Sequence, residues 1–263
     1  MRTIFSLGEK KEGQVLLCEW GATHCCYAIY DADTKKVGHL QYKTYQLLDT
    51  DGITEVLNEW NAINPSQVVI CAAFPQFVLL PNAHTPEAGK VMQALYPIHQ
   101  GEIIASDAIH EWQLTNHYTL PSPLRSVLSK SFNNVSYYHF FTPALKVYNG
   151  YMAESQVAVH FAPNTFSVLI RKGGQLQLAQ MYTYQTPLDV VYFLLKMIEE
   201  LHLPKEETFI LLSGLIEQDS DLYREIHQYF LNLHFIPASA AVSEFEQPSH
   251  FFTSITNLAA CVS

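Results

Sequence analysis

The sequence predicts an α/β protein of two related domains, each a mixed sheet flanked by helices. The chain has 263 residues, of which 48% are hydrophobic and 15% are charged. This composition is typical of globular proteins, and the length favours two domains over one. Three predicted strands open each half of the chain, and each half continues with a helix and an apolar strand. These observations together predict the fold class.

The first half opens with strand patterns. Residues 14–18, 24–31 and 37–43 are rich in β-branched, aromatic and other apolar residues, which is typical of strands. In residues 53–63 the apolar positions follow the spacing of a helix with one apolar face. Residues 67–74 are apolar almost throughout, as in a strand covered on both faces of its sheet.

The second half repeats this order. Thr23 aligns with Thr165, 142 residues further along, and the strand around Ile70 then falls close to Ile210. A shared order and spacing over about 60 residues indicates a duplication. The predicted strand, strand, strand, helix and strand of this half are residues 156–161, 165–172, 175–184, 187–201 and 208–214.

A hydroxyl residue followed by Pro marks four predicted helix starts. The hydroxyl can accept a hydrogen bond from a free N–H of the first turn, and Pro at the first helical position lacks that N–H. The predicted helices cover about residues 86–95, 123–131, 143–150 and 187–201. The four dipeptides are Thr85-Pro86, Ser122-Pro123, Thr142-Pro143 and Thr186-Pro187.

These elements define two predicted domains. We place the first at residues 1–147, with additional helices at about residues 86–131, and the second at residues 148–263. A final helix at about residues 249–260 is expected to pack back onto the first domain.

Charge and composition exclude several classes of function. The chain has 15 basic and 25 acidic residues, a net charge of −10, which argues against binding to nucleic acid. No apolar stretch is long enough for a membrane-spanning helix, and residues 1–14 lack the apolar core of a signal peptide. Five Cys in a chain of this length do not form a disulfide framework. We therefore expect a cytoplasmic protein.

A cluster of Cys and His raises the alternative of a zinc enzyme. Cys18, His24, Cys25 and Cys26 lie close together in the sequence. Adjacent residues of a strand point to opposite faces, so Cys25 and Cys26 do not readily bind one metal ion, and no second Cys-x-x-Cys pair exists. We therefore predict structural thiols and no metal site.

One stretch resembles the first phosphate loop of the actin, hexokinase and heat-shock chaperone superfamily, Asp-x-Gly-Thr-Thr. In residues 16–31, Glu19 stands at the position of the Asp and Gly21 at the Gly, while Ala22 and Thr23 take the hydroxyl positions. A carboxylate there holds metal-bound waters or orients the attacking one. Glu19 keeps this charge on a longer side chain.

Two further stretches resemble motifs of the same superfamily. Residues 158–170 resemble its second phosphate loop, Asp-x-Gly-Gly-Gly-Thr, with His160 at the Asp and Thr165 at the Thr. The three residues 162–164, Ala-Pro-Asn, replace the glycines. In residues 210–215 only Gly214 remains of the paired glycines of the adenosine motif.

A second resemblance covers nearly the whole chain. Residues 76–97, 136–145 and 155–214 resemble an uncharacterised bacterial family that has an actin-like ATPase fold and no established activity. The resemblance implies two actin-like, ribonuclease H-like domains related by internal duplication, each with a mixed five-stranded sheet flanked by helices.

The departures from the loop motifs suggest a lost activity. Phosphate loops bind through converging backbone N–H groups, and Pro163 removes one such donor and restricts the residue before it. We therefore predict no catalytic residue, no cofactor and a non-catalytic binding or assembly module with a protein or peptide partner. Self-association into a homo-oligomer is a further hypothesis. The alternative is an ATPase or small-molecule kinase that uses ATP and Mg²⁺. The candidate nucleotide-binding residues, if binding is retained, are Glu19, Gly21, Thr23, His160, Thr165 and Gly214.

Overall fold

The computed structural model describes residues 1–8, 14–46, 49–98, 102–148, 155–242 and 245–262. Its strands, in chain order, are β1 (Arg2–Leu7), β2 (Val15–Gly21), β3 (His24–Asp31), β4 (Lys36–Thr44), β5 (Gln67–Ala73), β6 (Phe77–Pro81), β7 (Ile103–Ile109), β8 (Leu114–Leu120), β9 (Val135–His139), β10 (Ser155–Phe161), β11 (Thr165–Lys172), β12 (Gln175–Thr183), β13 (Phe209–Gly214), β14 (Leu233–Phe235) and β15 (Ala241–Val242). Its α-helices are α1 (Thr50–Ile63), α2 (Ala88–Leu95), α3 (Ser122–Ser131), α4 (Phe141–Tyr148), α5 (Pro187–Glu200), α6 (Asp221–Tyr229) and α7 (Thr253–Leu258).

The chain folds into two compact units. The first contains Met1–Asn149, Ser239–Phe245 and Ser254–Ser263, and the second contains Gly150–Ala238 and Glu246–Thr253. The chain therefore returns to the first unit twice after it has entered the second. The predicted boundary between residues 147 and 148 lies next to residues outside the described part of the chain and stays a prediction.

The main sheet of the first unit has the order β1-β4-β3-β2-β5-β9, and β15 also pairs with β4. Strands β2, β3 and β4 form an antiparallel meander, whereas β5 is parallel to β2 and β9 is parallel to β5. The prediction of five strands was wrong for this sheet, because β1 and β15 both pair with β4 along its remaining edge. Four of the six residues of edge strand β1 are exposed. The strand therefore lacks a regular apolar pattern in the sequence.

The second unit has one sheet with the order β12-β11-β10-β13-β14. The first three strands form an antiparallel meander, and β13 and β14 continue the sheet in parallel. This is the arrangement of β4-β3-β2-β5-β9 in the first unit. The strand order that the sequence repeat predicts is therefore present twice.

Helices α1 and α5 occupy equivalent places in the two units. Each follows the third strand of its meander and precedes the parallel strand. The apolar face predicted for the first of them is confirmed, since the buried residues of α1 are Ile53, Val56, Leu57, Trp60 and Ile63. In the second unit, buried residues of α5 and α6 join the core formed by β10, β11 and β13.

A three-stranded antiparallel sheet, with the order β6-β8-β7, corrects the prediction for residues 86–131. The sequence predicted only helices there, and the structure confirms α2 and α3 but places β7 and β8 between them. Strand β8 was missed because its buried residues are largely polar, among them Thr115, Asn116 and His117.

The predicted helix starts have different outcomes. Thr186 caps α5 as expected, and it forms a capping box in which Asp189 accepts a hydrogen bond from its backbone N–H at 2.8 Å. Thr85 instead lies inside a 3₁₀ turn, Asn82–Glu87, that precedes α2. No side chain caps α3, which begins at Ser122 itself.

The last two predicted helices also differ in detail. Helix α4 begins at Phe141, before Thr142, and residues 149–150 of its predicted range lie outside the described residues. The predicted helix at residues 249–260 is broken into a 3₁₀ turn over Ser249–Phe252, helix α7 and a second 3₁₀ turn over Ala259–Cys261. None of the helices in the described residues combines the length and apolar character needed to cross a membrane.

Candidate functional site

The first candidate loop is the turn between β2 and β3 in the first unit. Glu19 lies two residues before the end of β2, and His24 is the first residue of β3. The Oε1 atom of Glu19 lies 2.7 Å from Nε2 of His24. Both residues are only 2% exposed. The carboxylate is therefore buried against an imidazole of its own loop.

The imidazole of His24 also covers Gly21. An added Cβ at Gly21 would lie 2.4 Å from Cε1 of His24, so the ring leaves room there for glycine only. The ring stacks on Tyr42 of β4, with 5.6 Å between centroids and 6° between planes. The hydroxyl of Tyr45 donates to the carbonyls of Gly21 and His24. The space beside Gly21 is thus filled by protein.

Thr23 takes part in the same turn through its backbone. Its carbonyl accepts a hydrogen bond from the N–H of Tyr45 at 2.9 Å. The three predicted residues Glu19, Gly21 and Thr23 therefore lie at or next to the same turn. His24 and Tyr45 are the neighbours that contact them. Sequence reasoning had assigned His24 only to the zinc alternative.

The second candidate loop is the tight turn between β10 and β11 in the second unit. The N–H of Ala162 donates to the carbonyl of Thr165 at 2.9 Å and closes the turn around Pro163 and Asn164. Pro163 has no N–H to offer. The hydroxyl of Tyr184 donates to the carbonyl of Ala162 at 3.2 Å. Two of the backbone positions that would face a phosphate in the superfamily motif thus offer no donor.

His160 and Gly214 lie at the end of the same sheet. The Nδ1 atom of His160 is 3.0 Å from Oγ of buried Ser213. Gly214 has a φ of +77°, and an added Cβ would lie 2.1 Å from the carbonyl oxygen of Phe161. Gly214 is therefore required by the close approach of β13 to β10, and Ser213 is a partner that the sequence did not reveal.

Glu19 and His160 occupy equivalent positions in the two hairpins. Glu19 pairs with Cys26, and His160 pairs with Ser167, in each case one position before the last pair of the hairpin. Each of the two residues contacts another side chain close to its loop: Glu19 contacts His24, and His160 contacts Ser213.

The cysteines of the first unit are buried thiols. The Sγ atoms of Cys18 and Cys25 lie 3.6 Å apart. Burial raises the pKa of the Cys18 thiol well above its ordinary value, and the neighbouring Cys25 adds to this effect. Across the described ranges, no group of three His, Cys, Asp or Glu side chains could hold a metal ion.

A meander of three strands, continued by two parallel strands and repeated in a second unit, is the architecture of actin-like proteins. The profile of the family described as "Protein of unknown function (DUF3822)" matches residues 8–233. The chain therefore belongs to this family. A search of curated proteins found no match.

Solved structures share the fold at low sequence identity. A Bacteroides thetaiotaomicron protein with an actin-like ATPase fold and unknown function is similar, with a TM-score of 0.79 and 16% identity over 96% of this chain and 98% of that one. The PilM–PilN type IV pilus biogenesis complex gives a TM-score of 0.67 at 11% identity, with 96% and 99% covered. The ethanolamine utilization protein EutJ from Carboxydothermus hydrogenoformans gives 0.52 at 10% identity, with 96% and 92% covered. These likenesses establish the actin-like fold.

Proposed function

We propose that the protein is a non-catalytic binding or assembly module with an actin-like fold. The observation that carries this proposal is the pair of Glu19 and His24. A carboxylate in this loop position acts through water or a metal ion, and Glu19 is 2% exposed and bound to His24 instead. The side chain of His24 also fills the space beside Gly21.

The second loop supports the same proposal. A charge-assisted hydrogen bond contributes about 1.5–3 kcal/mol, so the loss of two backbone donors would weaken the binding of a phosphate by orders of magnitude. The N–H of Ala162 is engaged within its own turn, and Pro163 lacks one.

A protein or peptide partner is the class of ligand that we propose. One of the similar solved structures is itself a complex of two proteins, PilM and PilN, from type IV pilus biogenesis. The net charge of −10 makes nucleic acid a poor candidate. A cytoplasmic location and self-association remain predictions.

The alternative is a nucleotide-binding ATPase or small-molecule kinase with unusual ligands. It is favoured by the retention of Gly21, Thr23 and Thr165 at motif positions and by the carboxylate of Glu19. In that case ATP and Mg²⁺ would bind to these groups, and Glu19 would have to leave His24.

Thermal unfolding with and without millimolar Mg·ATP separates the two functions. A nucleotide at about a hundred times its Kd adds about 2.7 kcal/mol of stability, so binding would raise Tm measurably. We expect no rise for the wild-type protein and no ATP turnover. A rise in Tm together with turnover that Glu19→Gln abolishes would contradict the proposal.

The variant His24→Ala sharpens this experiment. It removes the ring beside Gly21 and releases Glu19. A rise in Tm with Mg·ATP in the variant but not in the wild type would indicate that His24 is the obstacle. The variant His84→Ala is a matched control, because His84 is an exposed residue of the same unit.

A further inference from the structure

A pocket in the second unit is lined by carboxylates, amides and an imidazole together with apolar side chains. It has a volume of about 510 Å³. It lies near the carboxyl ends of β13 and β14, between the loop that precedes α6 and the segment that leads into the 3₁₀ turn at Ser249. Its lining includes Glu217, Asp219, Phe235, Glu246, Gln247 and His250.

The charged side chains that line this pocket are all negative. Its lining contains three carboxylates, those of Glu217, Asp219 and Glu246, and no Lys or Arg. Within the described ranges none of these carboxylates forms an ion pair. The nearby Arg224 donates to the backbone carbonyl of Asp219 and binds the carboxylate of Asp221, which does not line the pocket. The pocket is therefore complementary to a cation.

Gln247 and His250 each have one acceptor atom that receives no hydrogen bond from the described residues. The Oε1 atom of Gln247 is buried and accepts no hydrogen bond from any described residue. His250 is only 8% exposed, and its Nε2–H donates to the carbonyl of Ile216 at 2.7 Å. Its Nδ1 is thereby left as an acceptor, and no described residue donates to it. An acceptor that is buried without a donor, as the Oε1 atom of Gln247 is, is costly, which indicates that a ligand supplies a donor here.

The ring of His250 is held in place by an aromatic neighbour. It stacks on Phe235, with 4.1 Å between centroids and 25° between planes. Burial lowers the pKa of His250, although its bond to Ile216 and the charge of Glu217 oppose this. The ring therefore stays neutral near neutral pH, and its Nδ1 is free to accept.

The acceptors favour a planar cation with several donors over a metal ion. No group of three His, Cys, Asp or Glu side chains in the described part of the chain has the geometry to hold a metal. A guanidinium group presents five N–H donors in a plane, pairs with carboxylates and stacks on aromatic rings. An ammonium group offers fewer donors and is more strongly hydrated.

We propose that this pocket binds an arginine side chain of a polypeptide partner. Glu217, Asp219 and Glu246 attract the guanidinium, and the acceptors of Gln247 and His250 receive its inner N–H groups. The site lies wholly within the second unit and uses none of the phosphate-loop residues. Only the polypeptide nature of the ligand rests on the proposed function.

The test is a titration of the full chain with N-acetyl-arginine amide, monitored by NMR of ¹⁵N-labelled histidine rings. The signal of His250 is assigned by its loss in His250→Gln. We expect this signal to shift with N-acetyl-arginine amide, to shift at several-fold higher concentration with N-acetyl-lysine amide, and not to shift with the neutral N-acetyl-citrulline amide.

Paired variants locate the site. The double variant Glu217→Gln/Glu246→Gln should weaken the apparent affinity about tenfold, since each exposed ion pair makes a small contribution and two of them are removed. Both side chains are exposed, so the fold should persist. The matched control Glu199→Gln/Glu206→Gln changes the same charge at exposed positions of the same unit and should leave the affinity unchanged.

Three results would overturn the proposal: equal shifts with the citrulline compound, equal affinity for the arginine and lysine compounds, or no effect of Glu217→Gln/Glu246→Gln. Failure here is distinct from failure of the proposed function. Binding and turnover of Mg·ATP would reject the non-catalytic module but leave the arginine pocket intact, and an inert pocket would leave the phosphate-loop argument intact.

Discussion

His24 is the central side chain of the first loop, because its imidazole both binds Glu19 and covers Gly21. We predict that His24→Ala lowers the free energy of unfolding by about 3 kcal/mol, since it leaves a buried carboxylate without this partner. Glu19→Gln keeps a hydrogen-bonding group and should cost less. Urea unfolding measures both changes. A loss below about 1 kcal/mol for His24→Ala would contradict the role given to the pair.

Gly214 and Gly174 offer a matched comparison, because both have φ near +75° but different surroundings. An added Cβ at Gly214 would lie 2.1 Å from the carbonyl oxygen of Phe161, whereas one at Gly174 would meet nothing within 4 Å. We predict that Gly174→Ala costs about 1 kcal/mol, from backbone strain alone. Gly214→Ala should cost at least twice as much in chemical unfolding. Equal losses would show that the contact with β10 is unimportant.

The positions of these residues were predictable, but their partners were not. Motif spacing alone placed Glu19, Gly21 and Gly214 at the ends of strands. The orientation of His24, in contrast, depends on stacking against Tyr42, which lies in another strand. Such a contact has no signature in the local sequence.

Among the secondary-structure elements, β7, β8, β9 and α4 are joined by one buried carboxylate, Asp107. It accepts hydrogen bonds from the hydroxyl of Tyr118 at 3.1 Å, the N–H of His139 at 2.8 Å and the hydroxyl of Thr142 at 2.7 Å. Burial raises the pKa of Asp107 to about 6, although these hydrogen bonds oppose the shift. Thr142 therefore serves this network instead of capping its helix.

Because the pKa of Asp107 is raised in the folded state, its contribution to the free energy of unfolding decreases as the pH rises. Between its ordinary pKa of about 3.9 and its folded pKa of about 6, the folded state binds more protons than the unfolded state. The stabilisation due to the protonated carboxyl is full below this range and is lost as pH rises through it.

Asp107→Asn should remove this dependence. We predict that the stability of the wild type relative to the variant falls by about 2 kcal/mol between pH 4 and pH 6.5. Comparison at each pH cancels the opposite contribution of His139, whose pKa burial lowers to about 4. Urea unfolding across this range provides the measurement, and a constant difference between the two proteins would contradict the prediction.

The same network explains which elements the sequence could predict. Strands such as β5 and β10 are apolar runs, and their hydropathy alone indicates them. Strand β8 buries Asn116, whose amide lies 3.0 Å from Nδ1 of His139. Polar residues of this kind are stable in a core only through partners distant in sequence, so their burial cannot be inferred from a local pattern.

On the scale of the whole molecule, the chain returns to the first unit near its end. Residues late in the sequence are therefore part of the core of the first unit. Leu258 of α7 is fully buried and belongs to the first unit. We predict that Leu258→Ala lowers the stability of that unit by about 3 kcal/mol. The readout is selective, because every tryptophan of the chain lies in the first unit: Trp20, Trp60 and Trp112.

Tryptophan fluorescence during urea unfolding therefore reports on the first unit. Leu194→Ala is the matched control, since Leu194 is a fully buried residue of the second unit. It should shift the tryptophan transition less than Leu258→Ala does. A tryptophan transition that Leu258→Ala leaves in place would contradict the assignment of α7 to the first unit.

The pairing of β15 with Lys36 and Val37 of β4 has a consequence for biosynthesis. A ribosome that has just completed β9 must still translate about 100 residues, including Gly150–Ala238 of the second unit, before Ala241 and Val242 emerge. At about 5–20 residues per second, this part of the β4 edge stays uncovered for about 5–20 s. During that interval the nascent chain exposes backbone donors and acceptors to other polypeptides, so co-translational folding is the stage at which the protein is most vulnerable to aggregation.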